Sequence, residues 1–321
     1  ALGERFGLTQ DEIAEAARRL VGTQHRLVVY HAMVGSQLED IDAWMARLER
    51  SATAYCQLRQ QVPTLRAFNF GGGMPASAYA LDFAFDYPGF LTRLMATMAT
   101  ICASCGVPQP DIIGEFGRYT VANHSMYLLE IGTTKPAQET GGEPWYLVNG
   151  SMMVSLPDTL IVEDQQFIVL PLDRWEQPVQ GVRLGGRRTC DSDDMFPRPA
   201  QPPLMLPEDG QGLVVAIFGV GAYQQMIAGR GGAHHCLNPE MRRIIIEQDD
   251  DALVVREVAP QSLGNIMNLL GYSSEPLEPV VRPQPVPVER RMLREPIRAP
   301  RRPPMARTRI TGRTRPAASA A

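Results

Sequence analysis

The spacing of apolar and polar positions changes character near residue 119, and the change separates two kinds of structure. Before it, apolar residues recur at helical intervals between short apolar runs. Ile13, Ala16, Ala17 and Leu20 make one helical face, and Thr9-Gln10-Asp11-Glu12 ahead of them has the pattern of a capping box. The run 26–30 predicts a strand that enters the turn Val34-Gly35-Ser36-Gln37. A long helix is predicted over 40–61, halted by Pro63. Residues 67–70 predict a second strand that ends in Gly71-Gly72-Gly73. A helix over 88–104 follows, and a third strand at 111–113 leads into Glu115-Phe116-Gly117-Arg118. Strands and helices alternating across short turns indicate an α/β arrangement, and right-handed crossovers would make its strands parallel.

Beyond Tyr119, short β-rich segments recur at 126–131, 145–148, 167–172, 181–185, 213–218, 243–246 and 252–257, divided by Pro, Gly and Asp. They predict a mostly β domain over 126–275 behind an α/β domain over 1–125, with a closing helix at 262–270. Residues 276–321 are a different material, with ten prolines and 11 arginines against three glutamates. That tail carries a formal +8, so the remainder must carry −12 to reach the chain's −4. A segment of this composition cannot bury a core and is expected to be disordered. Its charge would suit nucleic acid or an anionic surface. A merely solvated extension explains it more simply, and nucleic acid is not expected as a partner.

Composition narrows the class. With 321 residues, 44% of them hydrophobic and 21% charged, the chain has the make-up of a globular protein large enough for two packed domains. No apolar run approaches the roughly 18 residues needed to cross a membrane. No basic-then-apolar leader opens the chain, and it starts at Ala1 rather than Met, which suggests a start inside a longer polypeptide. Five cysteines give no even disulfide framework, so a reduced, cytoplasmic setting is expected. Cys102 and Cys105 have the spacing of a redox or zinc pair, but no second pair follows, and a helix end is the simpler account. His234-His235-Cys236 is likewise read as a polar loop. Lysine changes the picture most: Lys135 is the only one, beside 30 arginines.

Several strand ends carry unusual residues, and active sites of α/β barrels gather at the carboxy ends of strands. Gly71-Gly72-Gly73 would let backbone N–H groups approach a phosphate, or would simply turn tightly. Glu115 and Arg118 put an anion and a cation at the next strand end, either as site residues or as a local ion pair. Thr189-Cys190-Asp191-Ser192-Asp193-Asp194 gathers a thiol and three carboxylates, which repel unless a cation, a cationic substrate or water relieves them. An exposed loop would also account for it. Gly219-Val220-Gly221-Ala222-Tyr223 places a tyrosine in a flexible turn after an apolar strand.

Taken in order, Val34-Gly35-Ser36, Gly71-Gly72-Gly73, Glu115-Phe116-Gly117-Arg118, Cys190-Asp191 and Gly221-Ala222-Tyr223 resemble the ornithine/diaminopimelate/arginine decarboxylase family. The resemblance covers about residues 4–272 and begins at Arg5-Phe6-Gly7. Ser155-Leu156-Pro157-Asp158, Val169-Leu170-Pro171-Leu172 and Tyr223-Gln224 are most similar to the biosynthetic arginine decarboxylases. The resemblance implies the carboxy-terminal part of a pyridoxal-phosphate-binding (β/α)8 barrel of the alanine-racemase type, followed by a β-sandwich or barrel-like domain. It implies that Glu115 pairs with the cofactor's pyridine nitrogen. Ser36, Gly71, Gly72, Gly73, Arg118 and Tyr223 would hold its phosphate. Cys190 would protonate the carbon that has lost carbon dioxide, and Asp191 would bind the substrate's distal cation. Both act across a dimer interface in that family, so a two-fold dimer with shared sites is expected. The substrate would be a basic L-amino acid, arginine before ornithine or diaminopimelate, and the product a polyamine precursor such as agmatine.

Two departures stand out. Met33 occupies the position where the family places an imidazole against the cofactor ring, with His31 two residues earlier on the same strand face. The cofactor-bearing lysine belongs on an early barrel strand, whereas none of the 33 residues before Val34 is lysine and Lys135 does not align. Only three barrel strands are expected, which would leave apolar edges and faces bare. The favoured expectation is therefore a fragment of a full decarboxylase, inactive alone. A split subunit or a non-catalytic homologue that regulates a partner are the alternatives.

Overall fold

The computed structural model describes residues 6–162, 164–228, 238–250 and 252–272. The Pro/Arg-rich segment 276–321, Arg5 and the sequence His234-His235-Cys236 lie outside the described residues.

The first part alternates helix and strand: α1 (Gln10–Leu20), β1 (Val29–His31), α2 (Ile41–Gln61), β2 (Ala67–Asn69), α3 (Tyr87–Cys105), β3 (Asp111–Ile113) and α4 (Gly117–Val121). Local chemistry sets the helix ends. Thr9 and Glu12 close the reciprocal capping box that starts α1, and the Asp40 and Asp86 side chains cap α2 and α3 by accepting from Ala43 N and Gly89 N. Gly106, in the left-handed region at φ 66°, ends α3.

The three strands form a parallel sheet in the order β1-β2-β3, registered Tyr30↔Phe68 and His31↔Asn69, then Phe68↔Ile112 and Asn69↔Ile113. β1 starts three residues later than the sequence pattern suggested, because pairing with β2 begins at Val29↔Ala67. The sheet's two faces differ. Tyr30, Phe68 and Ile112 point under α2 and α3, whose inward residues recur every three or four positions: Trp44, Leu48, Ala52 and Tyr55 on one, Phe90, Leu94, Met98 and Cys102 on the other. Trp44 and Phe90 stack with ring centroids 3.9 Å apart, joining the helices. No helix covers the opposite face among the described residues, where Val29, His31 and Ile113 are exposed. That fulfils the expectation of bare apolar surface.

The second part is β-rich: β4 (Met126–Lys135), α5 (Ala137–Thr140), β5 (Trp145–Val148), α6 (Met152–Ser155), α7 (Asp158–Ile161), β6 (Val169–Pro171), β7 (Val179–Gly186), β8 (Met195–Phe196), β9 (Leu204–Pro207), β10 (Val214–Phe218) and α8 (Gln224–Ala228). The sheet runs β6-β10-β4-β5-β7-β8, with β9 also on β7. All its pairings are antiparallel except β5 with β7. Alternate residues turn inward, as in Leu129/Ile131, Tyr146/Val148, Val182/Leu184 and Val215/Ile217, and build a second core. β4 runs past its expected end at Ile131 through an irregularity before Thr133. β11 (Arg243–Asp249) and β12 (Ala252–Val258) pair only with each other, and α9 (Leu263–Leu269) follows.

Cys102 lies at the end of α3, as the simpler account of its spacing from Cys105 expected. Its sulfur lies 3.7 Å from that of Cys56, inside the core between α2 and α3. Among the described residues no cluster of three His, Cys, Asp or Glu could hold a metal, and no helix is long and apolar enough to cross a membrane.

Two expectations follow. Leu48→Ala, at a fully buried position, should cost about 2–5 kcal/mol in denaturant unfolding. Burial first, then the neighbouring cysteines, push the Cys56 thiol up to about 12, so it stays protonated and unreactive near pH 8. Iodoacetamide mapped by mass spectrometry should then modify exposed Cys190 readily, and Cys56 only on unfolding.

Candidate active site

The uncovered face of the parallel sheet ends in polar residues. His31 and Asn69 are neighbours in register, and Glu115 lies two residues past β3. Asn69 Nδ2 donates to Glu115 Oε1 at 2.8 Å, while Glu115 Oε2 lies 3.7 Å from His31 Nε2. Glu115 N donates to the Gly71 carbonyl at 2.8 Å, which pins the carboxylate's backbone to the glycine turn. The three groups thus form one polar cluster at the carboxy ends of three strands, open to solvent.

The glycine turn is built closely around its neighbours. Gly73 has φ +101°, and a Cβ there would stand 3.2 Å from both the Gly35 carbonyl oxygen and the Trp44 ring. Leu38 N donates to Gly73 O, and the Gln37 side chain exchanges hydrogen bonds with the Ala76 backbone. These contacts bring the Val34–Gln37 turn, with exposed Ser36, beside Gly71, Gly72 and Gly73. Two of the glycine donors are already engaged. Gly71 N gives its proton to Asn69 Oδ1 at 2.9 Å, and Gly72 N points at the Met33 sulfur at 3.2 Å. Met33 therefore lies over the glycine turn while His31 faces Glu115, so the two residues have separate roles on the one face.

Arg118 is buried. Its Nη1 donates to the Tyr79 hydroxyl at 2.9 Å and its Nη2 to Asp158 Oδ2 at 3.0 Å, while its guanidinium carbon sits 4.3 Å from the Tyr223 ring centre. Burial alone would lower the Arg118 pKa, but Tyr79 and Asp158 outweigh it and raise it. Removing one partner from so buried a pair typically costs about 3–5 kcal/mol. The sequence suggested an ion pair between Glu115 and Arg118. The structure instead gives Arg118 to Asp158, because its residue opens α4 and turns back toward the β-rich part. Tyr223 reaches the same place because Gly221 packs where a Cβ would fall 1.9 Å from the Val121 carbonyl oxygen. Asp158, Tyr79 and Gln224 were not singled out as site residues. The Ser155–Asp158 motif was the available signal for the first.

Cys190 and Asp191 lie on a different loop. Its anchor is Asp194, buried and accepting from Ser151 Oγ, Met152 N, Met153 N and Thr189 Oγ1. Asp193 pairs with Arg198 at 2.9 Å. Asp194 and Asp193 are thus relieved by backbone and hydroxyl donors and by an arginine of this chain, while Cys190 is exposed. The loop belongs to α6 and β7 rather than to the strand ends that hold Glu115.

A cofactor with an aromatic nitrogen and a phosphate fits the non-covalent part of this arrangement: a half-exposed carboxylate beside an imidazole, and a glycine turn flanked by Ser36. The covalent part does not fit. Lys135, the chain's one lysine, ends β4 and pairs with Trp145 in the other sheet.

Comparison with known proteins agrees with this geometry. Residues 2–122 match the model of the pyridoxal-binding domain of pyridoxal-dependent decarboxylases. Arginine decarboxylase 2 of Arabidopsis thaliana is 26% identical over 46% of this chain and 22% of its own length. Diaminopimelate decarboxylase of Methanothermobacter thermautotrophicus is also 26% identical, over 68% of this chain and 49% of its own. The chain spans about half the length, or less, of these curated relatives. Among solved structures, the biosynthetic arginine decarboxylase of Campylobacter jejuni superposes with a TM-score of 0.69 at 21% identity, covering 85% of this chain and 60% of that one. Diaminopimelate decarboxylase of Helicobacter pylori with L-lysine gives 0.63 at 21% identity, covering 83% and 60%. The fold is thus part of a β/α barrel followed by a β domain, as in these solved structures, and residues 2–122 are similar to the pyridoxal-binding domain of pyridoxal-dependent decarboxylases.

Proposed function

We propose that these residues form the ring-holding and phosphate-holding part of an enzyme that decarboxylates a basic L-amino acid, arginine first, giving agmatine for polyamine synthesis. The observation that carries this is the placement of Glu115, fixed by Asn69 and by the Gly71 backbone at the open end of three parallel strands. Bound there, pyridoxal phosphate supplies an electron sink for the pair left when carbon dioxide departs. Glu115 would keep a proton on the ring nitrogen, and Asn69 would orient that carboxylate. Ser36, Gly71, Gly72, Gly73, Arg118 and Tyr223 would hold the phosphate. For Gly71 and Gly72 this requires Asn69 and Met33 to release the N–H groups they now engage. Exposed Cys190 would deliver a proton to the substrate carbon, and Asp191 would receive its distal cation, both in the partner's site of a two-fold dimer. Arginine is favoured over diaminopimelate and ornithine by the motifs around Asp158 and Gln224.

The cofactor-bearing lysine is assigned to residues outside these 321, either on an upstream segment or on a second chain, because Lys135 stands in the β-rich sheet. A second reading, a non-catalytic homologue that regulates a partner subunit, is favoured by Met33 on the glycine turn in the imidazole's place. Mass and peptide mapping of the native polypeptide, followed by an assay for carbon dioxide release from arginine, separate the two.

If the native enzyme is active, Glu115→Gln should lower decarboxylation by roughly two orders of magnitude or more. Unchanged release of carbon dioxide would remove Glu115 from the chemistry. Cys190→Ala should slow turnover and place the returning proton on the wrong atom, so chromatography should show a second product. A normal product ratio in that variant would assign the proton to another group.

A further inference from the structure

Two sequence features have no part in the chemistry above, the aspartate of Ser155-Leu156-Pro157-Asp158 and the glutamine after Tyr223, yet the fold sets Asp158 on Arg118 and Gln224 on Asp158. We infer that Asp158 and Gln224 are positioning residues for the phosphate-holding arm: together they fix the plane of the Arg118 guanidinium, and Arg118 in turn fixes the ring of Tyr223. The inference rests on the cofactor reading proposed above.

The geometry supplies each link. Gln224 is fully buried. Its Nε2 donates to Asp158 Oδ2, the same oxygen that accepts from Arg118 Nη2, and its Oε1 accepts from Asp158 N, both at 3.4 Å, so Gln224 holds both the carboxylate and the backbone of Asp158. Asp158, itself only 4% exposed, holds Arg118 Nη2 at 3.0 Å. Tyr79 holds Nη1, which leaves the guanidinium plane no freedom to swing. Arg118 Nε is buried with no hydrogen-bond partner among the described residues, so the group's orientation depends on those two contacts. Tyr223 sits at φ +68°, a conformation that side-chain-bearing residues seldom adopt, and the residue is 46% exposed with the cation against its ring. One side of the ring is therefore fixed by charge from inside the protein while the rest faces out, as a phosphate-binding hydroxyl requires.

A merely structural pair would affect all ligands alike, whereas a positioning pair acts on the phosphate alone. The test compares pyridoxal 5′-phosphate with pyridoxal, which share the aldehyde and ring, in equilibrium binding to the native protein. Asp158→Asn keeps the shape and removes the charge. It should weaken pyridoxal phosphate on the order of tenfold and leave pyridoxal unchanged. Tyr223→Phe should show the same selective loss, and the double variant no more than either single one. Asp158→Glu should recover part of the loss. Equal weakening of both ligands, or additive losses in the double variant, would overturn the inference. A parent protein that binds pyridoxal phosphate no better than pyridoxal would refute the cofactor reading instead. The linkage itself would then be decided by thermal unfolding, where Asp158→Asn and Tyr223→Leu must couple if the two side chains act as one unit.

Discussion

A guanidinium cannot be buried without partners, and the buried Arg118 organises much of the rest. Isolated, it would face a desolvation penalty of several kcal/mol. With Asp158, the Tyr79 hydroxyl and the Tyr223 ring around it, the cation is matched on three sides. Those partners come from three separate stretches of chain: the segment after the glycine turn, the α7 turn, and the turn after β10. Satisfying one charge therefore fixes how the end of the parallel sheet meets the β-rich part. Gly221, which leaves no room for a side chain against Val121, belongs to the same junction.

The second constraint is the asymmetry of the parallel sheet. Parallel strands are ordinarily covered on both faces. Here α2 and α3 cover one, through Tyr30, Phe68 and Ile112, while the other presents His31, Asn69 and, just beyond, Glu115. A carboxylate in that position is neither neutralised by a full ion pair nor desolvated. It is held by one amide hydrogen bond at 2.8 Å and stands near one imidazole at 3.7 Å, and so remains able to accept another donor. The same bareness leaves Val29 and Ile113 exposed, so whatever completes the site must also cover apolar surface.

Much of this was legible in the sequence because it rests on local rules. Helical spacing located α2 and α3, the capping box located the start of α1, and the three parallel strands followed from strand–helix alternation. The short strands β8 and β9 were missed. They lie in the proline-rich stretch around Phe196 to Pro207, and both pair only with β7, at edges where proline costs the ladder little. The chemistry was legible as residue types but not as pairings. Glu115 and Arg118 are three residues apart and were read as a possible pair, yet one faces the open sheet end and the other the junction. Similarly, the three acids after Cys190 suggested a place for a cation. Asp194 instead turns inward onto backbone donors, a pairing made with residues some 40 positions away that spacing alone cannot reveal.

The lysine question shows how topology limits chemistry more firmly than composition does. Lys135 would satisfy a requirement for one amine somewhere in the chain. Its strand, β4, pairs with β5 and β10, and a residue on that sheet cannot also occupy a strand beside β1. The amine would have to approach Glu115 and the glycine turn from the uncovered face, and β1 and β3 offer the only free strand edges there among the described residues. A lysine on a strand paired with either edge would meet both needs, bringing the amine to the open strand ends and helping to cover the exposed apolar positions.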